Sequence, residues 1–221
     1  MVYILNIETA TKNCSVSLSK NGQTIVINEL AEENFSHAEK LHLFIKDVLA
    51  KAKISLSDLN AIAVSKGPGS YTGLRIGVSA AKGLCYALNI PLIAIDTLAV
   101  LAEKISVDSG IIVPMIDARR MEVFTQMFRG DYAPLSVAEA LIVDETAFAD
   151  ISENIHLIGD GALKCKTVLT DVKFIFHEQV VYPSANEMSR LSYKKYVENT
   201  FEDVAYFEPY YLKDFMLTTK K

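Results

Sequence analysis

The chain has 221 residues, half of them apolar, with a formal net charge of −5 and three cysteines. Its length exceeds one average domain of roughly 100–150 residues, and no apolar run reaches the about 20 residues that cross a bilayer. The acidic balance speaks against strong RNA binding by the chain alone, since basic residues cluster only at Lys194-Lys195, Arg119-Arg120 and Lys220-Lys221; a subunit that helps a basic partner hold RNA stays open. Cys14, Cys85 and Cys165 lie far apart among apolar neighbours, which suits neither a disulfide framework nor metal spacing and points to a reducing, cytoplasmic location.

In chain order, residues 1–8 lack a basic leader, so 2–8 reads as a core strand and not as a signal peptide. Residues 9–13 form a polar turn, and 14–19 alternate with period two, the pattern of a half-buried strand. Asn21-Gly22 is a hairpin signal, because both central positions of the favoured turn need positive φ; residues 23–30 return as a third strand. Ser36-His37-Ala38-Glu39 has capping-box spacing. Behind it Leu41, Phe44, Ile45, Val48, Leu49 and Ala52 make one helical stripe. After a polar loop come a strand at 61–64, a glycine-rich turn at 67–73, a helix through Leu88, a strand at 90–95 and a helix at 97–104.

The second half opens likewise. Residues 111–117 form an apolar strand ending in a carboxylate, as 2–8 does; a polar turn, a strand at 122–128, a turn at Gly130-Asp131 and a strand at 141–143 follow. Next are a helix near 144–151, a strand at 155–158, the turn Gly159-Asp160-Gly161-Ala162, and a second capping box, Ser184-Ala185-Asn186-Glu187. That box starts a helix to about Asn199 with the stripe Met188, Leu191, Tyr196 and Val197. The repeated opening is a weak internal duplication by pattern. It implies two related α/β lobes, 1–107 and 108–221, with the terminal segment returning to the first lobe and only the last few residues disordered.

Between the lobes, Glu8 and Asp117 at two hairpin tips suit a hydrated magnesium ion, and backbone amides at Gly67, Gly69, Gly159 and Gly161 suit phosphates. Ordinary strand ends and turns explain the same residues slightly better on pattern alone. Gly67-x-Gly69-x-x-x-Gly73 imitates a dinucleotide fingerprint, with Asp96 at the end of the next strand. Three meander strands precede it, however, which is foreign to that fold, and the P-loop lysine is absent. His37 and His42 point about 140° apart on a helix and cannot share a metal; His156 and His177 lack neighbours at metal spacing. Ser70 and Thr72 read as turn and cap residues, not as nucleophiles. No catalytic or metal-ligating residue is assigned.

The run Lys66-Gly67-Pro68-Gly69-Ser70-Tyr71-Thr72-Gly73-Leu74-Arg75-Ile76-Gly77 resembles the TsaB family. So do Ile7-Glu8-Thr9, Asp117-Ala118-Arg119-Arg120, Gly159-Asp160-Gly161-Ala162 and Pro209-Tyr210-Tyr211-Leu212-Lys213. These are the bacterial tRNA threonylcarbamoyladenosine biosynthesis proteins, once grouped with glycoprotease (M22 peptidase-like) homologues. The resemblance implies an actin-like ATPase (ribonuclease H-like) fold of two duplicated lobes, each with a mixed sheet and flanking helices. It further implies a non-catalytic subunit that pairs with the transferase TsaD, helps recruit the ATPase TsaE, forms a homodimer when alone and meets tRNA only through the complex. TsaD binds a metal through a histidine pair; the matching positions here are Thr97 and Leu101, which cannot replace it. Weak ATP or ADP with Mg2+ is the one cofactor expectation. Leu41, Phe44, Val48, Gly73, Ile76, Gly77, Ala80 and Ala81 are the expected pairing surface, so that Gly77→Leu would leave the monomer partly folded and block pairing. The alternative is an independent actin-like ATPase or sugar-kinase-like enzyme using Glu8 and Asp117.

Overall fold

The computed structural model describes residues 1–32 and 37–213. Ser36 of the first capping box, the Lys220-Lys221 cluster and the expected terminal disorder lie outside them. Strands β1 (Tyr3–Glu8), β2 (Asn13–Lys20) and β3 (Gln23–Ala31) form an antiparallel meander. Asn21 (φ 49°) and Gly22 (φ 83°) supply the two left-handed positions of its hairpin turn. Helix α1 (His37–Ala52) leads to β4 (Ala61–Gly67), which lies parallel to β1; α2 (Tyr71–Leu88) then leads to β5 (Leu92–Asp96), parallel to β4. Helix α3 (Thr97–Ala102) follows. The first sheet therefore runs β3-β2-β1-β4-β5.

The second sheet repeats this plan. It comprises β6 (Ile111–Asp117), β7 (Glu122–Thr125), β8 (Glu139–Ile142), β9 (Ile155–Ile158) and β10 (Phe174–Phe176), in the order β10-β9-β6-β7-β8. Pairings β6–β7 and β7–β8 are antiparallel, β6–β9 and β9–β10 parallel. Both lobes thus share one strand order and one set of directions, which is the duplication the sequence pattern implied.

The connections differ between the lobes. No helix forms at 144–151, correcting that expectation. Asp144 Oδ1 accepts from the Thr146 amide (2.8 Å), short i→i+3 turns follow, and Phe148 adopts a left-handed φ of 64° that a helix does not tolerate. The crossover after β9 holds only the single turn α4 (Ala162–Cys165). The strand expected at 122–128 stops at Thr125, beyond which Phe128 makes only isolated bridges.

Helix α5 (Ala185–Val197) packs on the first sheet, although it follows the second in sequence. Ser184 caps it, its Oγ accepting from the Asn186 amide (3.2 Å) while its hydroxyl donates to Glu29 (2.6 Å). Met188 is buried, but Val197 is 60% exposed and drops out of the expected stripe, because nine residues on it lies about 180° round the helix from Met188.

Strand β2 is buried on both faces, not half-buried as its alternation suggested. Its serines face α5: Ser17 Oγ donates to the Ala185 carbonyl (2.6 Å), and Ser15 Oγ accepts from the Ala185 amide (3.0 Å). Asn6 joins the layer, donating to Ser17 Oγ (3.0 Å) and accepting from Ser192 Oγ (2.7 Å). Buried polar groups are tolerated here because they are paired. On the opposite face of the first sheet, Leu5, Ile7, Val16, Ile62 and Val64 meet the apolar sides of α1 and α2.

Candidate functional site

The glycine-rich turn is filled from inside the molecule. Ser70 caps α2, accepting from the Gly73 amide (3.3 Å), and the Ser70 amide donates to the Ala10 carbonyl (2.7 Å). A Cβ on Gly69 would lie 2.4 Å from the Ala10 oxygen, one on Gly73 2.1 Å from the Thr9 oxygen, and one on Gly77 2.3 Å from Thr9 Oγ1. The Thr9 hydroxyl donates to the Gly73 carbonyl (2.8 Å). The small residues of α2 thus make room for the turn between β1 and β2. Gly67, at φ 118°, accommodates the Tyr210 carbonyl 2.4 Å from where a Cβ would stand, and the Tyr210 amide donates to the Lys66 carbonyl (2.7 Å).

This corrects the expected pairing surface. Leu41, Val48, Gly73, Gly77 and Ala81 are buried in the first lobe itself, and only Phe44, Ile76 and Ala80 remain partly exposed. The outer face of the two helices is built from other residues as well: Leu43 is 62% exposed, Tyr86 86%, and Gly83 has open space above it. Helical spacing marked Leu43 and Tyr86 as off the core stripe, which was the available signal.

Glu8 ends β1 with none of its surface exposed. Its Oε1 accepts from the Ala10 amide (2.6 Å), and Oε2 has no hydrogen-bond partner among the described residues. Burial pushes the carboxyl up to about 7, with the Ala10 amide, Ser65 and the Lys104 charge pulling the other way. The same burial, with Glu8 nearby, lifts the Cys14 thiol to about 11.

Asp117, in contrast, is exposed at the end of β6. Its Oδ1 accepts from the Arg119 amide (2.9 Å) and pairs with Lys164, whose Nζ also donates to the Glu122 carbonyl (2.7 Å). The Asp117 amide donates to Asp160 Oδ1 (2.9 Å), and burial raises the Asp160 carboxyl. Gly161 donates its amide to the Met115 carbonyl (3.0 Å), and a Cβ on Gly159 would stand 2.2 Å from that oxygen. Sequence reasoning overlooked Lys164 because a lone lysine in a short helix carries no pattern.

The six residues expected at a nucleotide cleft divide between the two sheets. Glu8, Gly67 and Gly69 belong to one, and Asp117, Gly159 and Gly161 to the other; no hydrogen bond or ion pair joins Glu8 to Asp117 among the described residues. They do not fit magnesium nucleotide as placed. Glu8 is sealed, Asp117 already faces a lysine, and backbone carbonyls of the chain itself occupy the glycine hollows. A cavity of about 380 Å³ beside Val107, Arg129 and Glu153 and one of about 170 Å³ beside Asp96, Lys194 and Lys195 lie away from both carboxylates.

His37 is buried and donates from Nε2 to the Thr11 carbonyl (2.8 Å), whereas His42 is exposed. His156 and His177 do meet, Nδ1 to Nε2 at 2.9 Å, with the His156 Nε2–H donating to the Ser109 carbonyl (3.0 Å). Their pairing depends on β10, whose three-residue apolar run Phe174-Ile175-Phe176 is too short to mark a strand by periodicity. Among the described residues no three His, Cys, Asp or Glu side chains gather to hold a metal ion. Thr97 and Leu101 are wholly buried in α3.

The family model described as TsaD, tRNA N6-adenosine threonylcarbamoyltransferase, matches residues 26–219. The tRNA threonylcarbamoyladenosine biosynthesis protein TsaB of Escherichia coli is 29% identical over 220 residues, covering 96% of this chain and 94% of that protein. TsaB of Buchnera aphidicola subsp. Schizaphis graminum is 31% identical over 195 residues, covering 84% and 90%. YeaZ from Pseudomonas aeruginosa superposes with a TM-score of 0.84 at 25% identity, covering 96% of this chain and all of that one (100%). The duplicated strand order, the two-lobed actin-like architecture and these near end-to-end matches agree: the chain belongs to the TsaD family of threonylcarbamoyltransferase-like proteins and, within it, to TsaB.

Proposed function

We propose that this protein serves the synthesis of threonylcarbamoyladenosine, on the adenosine next to the tRNA anticodon, as a non-catalytic cytoplasmic subunit. It pairs with a TsaD-type transferase, helps recruit a TsaE-type ATPase, forms a homodimer when alone, and meets tRNA only within the complex. The observation that carries the accessory role is the state of the two carboxylates. Glu8 is sealed under the β1–β2 turn and Asp117 is paired with Lys164, which argues against either acting on a nucleotide. The positions matching the transferase's histidines, Thr97 and Leu101, are buried and offer no imidazole. The outer face of α1 and α2, with Leu43, Ile76, Ala80 and Tyr86, is the pairing surface.

A threonylcarbamoylation assay tests the reading. With a TsaD-type transferase, a TsaE-type ATPase, threonylcarbamoyl donor and tRNA, product forms only when this protein is added, and the protein alone turns over nothing. ATP hydrolysis by the isolated chain that Asp117→Asn abolishes would replace this reading with an independent ATPase.

A further inference from the structure

After α5 the described chain, through residue 213, returns across the first lobe without a helix, and its contacts divide into two halves. The inner half is well held. The Glu202 amide donates to the Leu92 carbonyl (2.9 Å), Val204 and Phe207 pack against the core beneath α1 and α2, and Lys82 Nζ donates to the Ala205 (3.1 Å) and Phe207 (2.8 Å) carbonyls. The outer half, 209–213, is held at the surface. Beyond the Tyr210–Lys66 backbone bond (2.7 Å), the Tyr211 ring lies on Tyr71 with centroids 4.8 Å apart, and the Tyr211 hydroxyl accepts from Arg75 Nε (3.3 Å). The Arg75 guanidinium stands 4.0 Å over Tyr71. Lys213 then reaches the second lobe and pairs with Glu122 at the start of β7.

Arg75, Tyr210 and Lys213 are exposed, and exposed ion pairs and peripheral stacks add little stability. Segments held this way open locally long before the core does. The outer half touches both the glycine turn and the amino end of α2, while its last anchor is on the other lobe.

We propose that residues 209–213 are a releasable latch. Closed, they pin the glycine turn and the amino end of α2 to the second lobe; open, they uncover that end of α2 for the partner protein. Latch closure and partner binding then compete. The partner's identity as a TsaD-type transferase rests on the function proposed above.

Charge reversal tests it in the full-length protein. Lys213→Glu opposes Glu122 and opens the latch, and adding Glu122→Lys restores the pair in the opposite sense. In Lys213→Glu, exchange of the Tyr210 amide, which donates to the Lys66 carbonyl in the closed latch, rises about fivefold, the scale of one exposed pair lost, and affinity for a TsaD-type transferase increases by a similar factor. The double variant returns both to wild type. Unchanged exchange at the Tyr210 amide in Lys213→Glu overturns the latch. Raised exchange with weakened transferase binding also overturns it, since the segment would then be part of the docking surface. If neither wild type nor any variant binds the transferase, the functional reading fails, while the exchange measurement still decides whether the latch opens.

Discussion

Glu8 ionises at a cost, because a carboxyl group with no exposed surface loses its hydration, and the Ala10 amide, Ser65 and the Lys104 charge offset only part of that loss. Its folded value of about 7 lies above the 4.5 of an unperturbed glutamate. A raised value means that the folded state holds the proton more tightly, so the contribution is fully present below about 4.5 and is lost as pH climbs through 7. Against Glu8→Gln, which keeps the Oε1 acceptor and cannot ionise, wild type should lose on the order of 3 kcal/mol between those limits. Urea denaturation of both proteins from pH 5 to about 8.5 reads it; a difference that stays flat with pH would show that Glu8 is not sealed. Gly73 supplies a second test at this scale. Alanine there meets the Thr9 carbonyl at 2.1 Å, and backbone cannot step aside as a side chain can. Gly73→Ala should cost about 1–3 kcal/mol or more in denaturant melts, whereas Gly83→Ala, which meets nothing within 4 Å, should be neutral or stabilising by up to about 1 kcal/mol.

At the scale of elements, the same contrast reassigns what α2 offers. Its small residues were legible as a bare strip, but composition cannot tell whether the body filling that strip is another chain or this one. The answer depended on the Thr9–Ala10 turn, 60 or so residues earlier, reaching it through the β1–β4 pairing. Gly77→Leu is therefore a folding defect and not a clean block of association. The clean block is on the other side: Leu43→Lys with Tyr86→Lys changes two exposed side chains, and surface substitutions of this kind usually stay within about 0.5 kcal/mol. The double variant should melt like wild type yet run as a monomer in size exclusion with light scattering, and a dimer of unchanged stability would exclude this face. Other elements were legible because their signals are local: the Asn21-Gly22 turn, the Ser184 cap and the period-two serines of β2. What those serines face was not, since α5 arrives about 170 residues later. The His156–His177 contact escaped for the same reason, requiring a register between two short strands.

At the scale of the molecule, two sheets of one topology are joined by an asymmetric set of helices. Among the described residues the second lobe carries only the single turn α4 within its own sheet's connections, while α5 packs on the first. The sequence pattern disclosed the duplication through its two acidic-tipped hairpins, but not this asymmetry, because a helix's lobe is decided by packing and not by chain order. The join itself is apolar. Leu98, Leu101 and Ala102 of α3 form one buried cluster with Ile112, Ile116 and Ile158 of the second sheet. Leu101 reaches the Gly159 turn, its Cδ2 standing 2.9 Å from where a Cβ there would be. Ion pairs nearby, Arg190 with Glu103 and Lys104 with Glu187 (3.8 Å), sit between α5 and the end of α3, within the side already held by the first sheet. The hydrophobic cluster is thus what makes the lobes unfold together. Wild type should give one calorimetric transition whose van't Hoff and calorimetric enthalpies agree. Leu101→Ala should cost about 2–5 kcal/mol, as for other fully buried leucines, and separate the second lobe into an earlier transition. A Leu101→Ala profile that stays single and merely shifts downward would place the coupling elsewhere, in the terminal segment that ties Lys213 to Glu122. Combining Leu101→Ala with Lys213→Glu then decides between them: if the cluster carries the coupling, the second substitution leaves the spacing of the two transitions where the first put it.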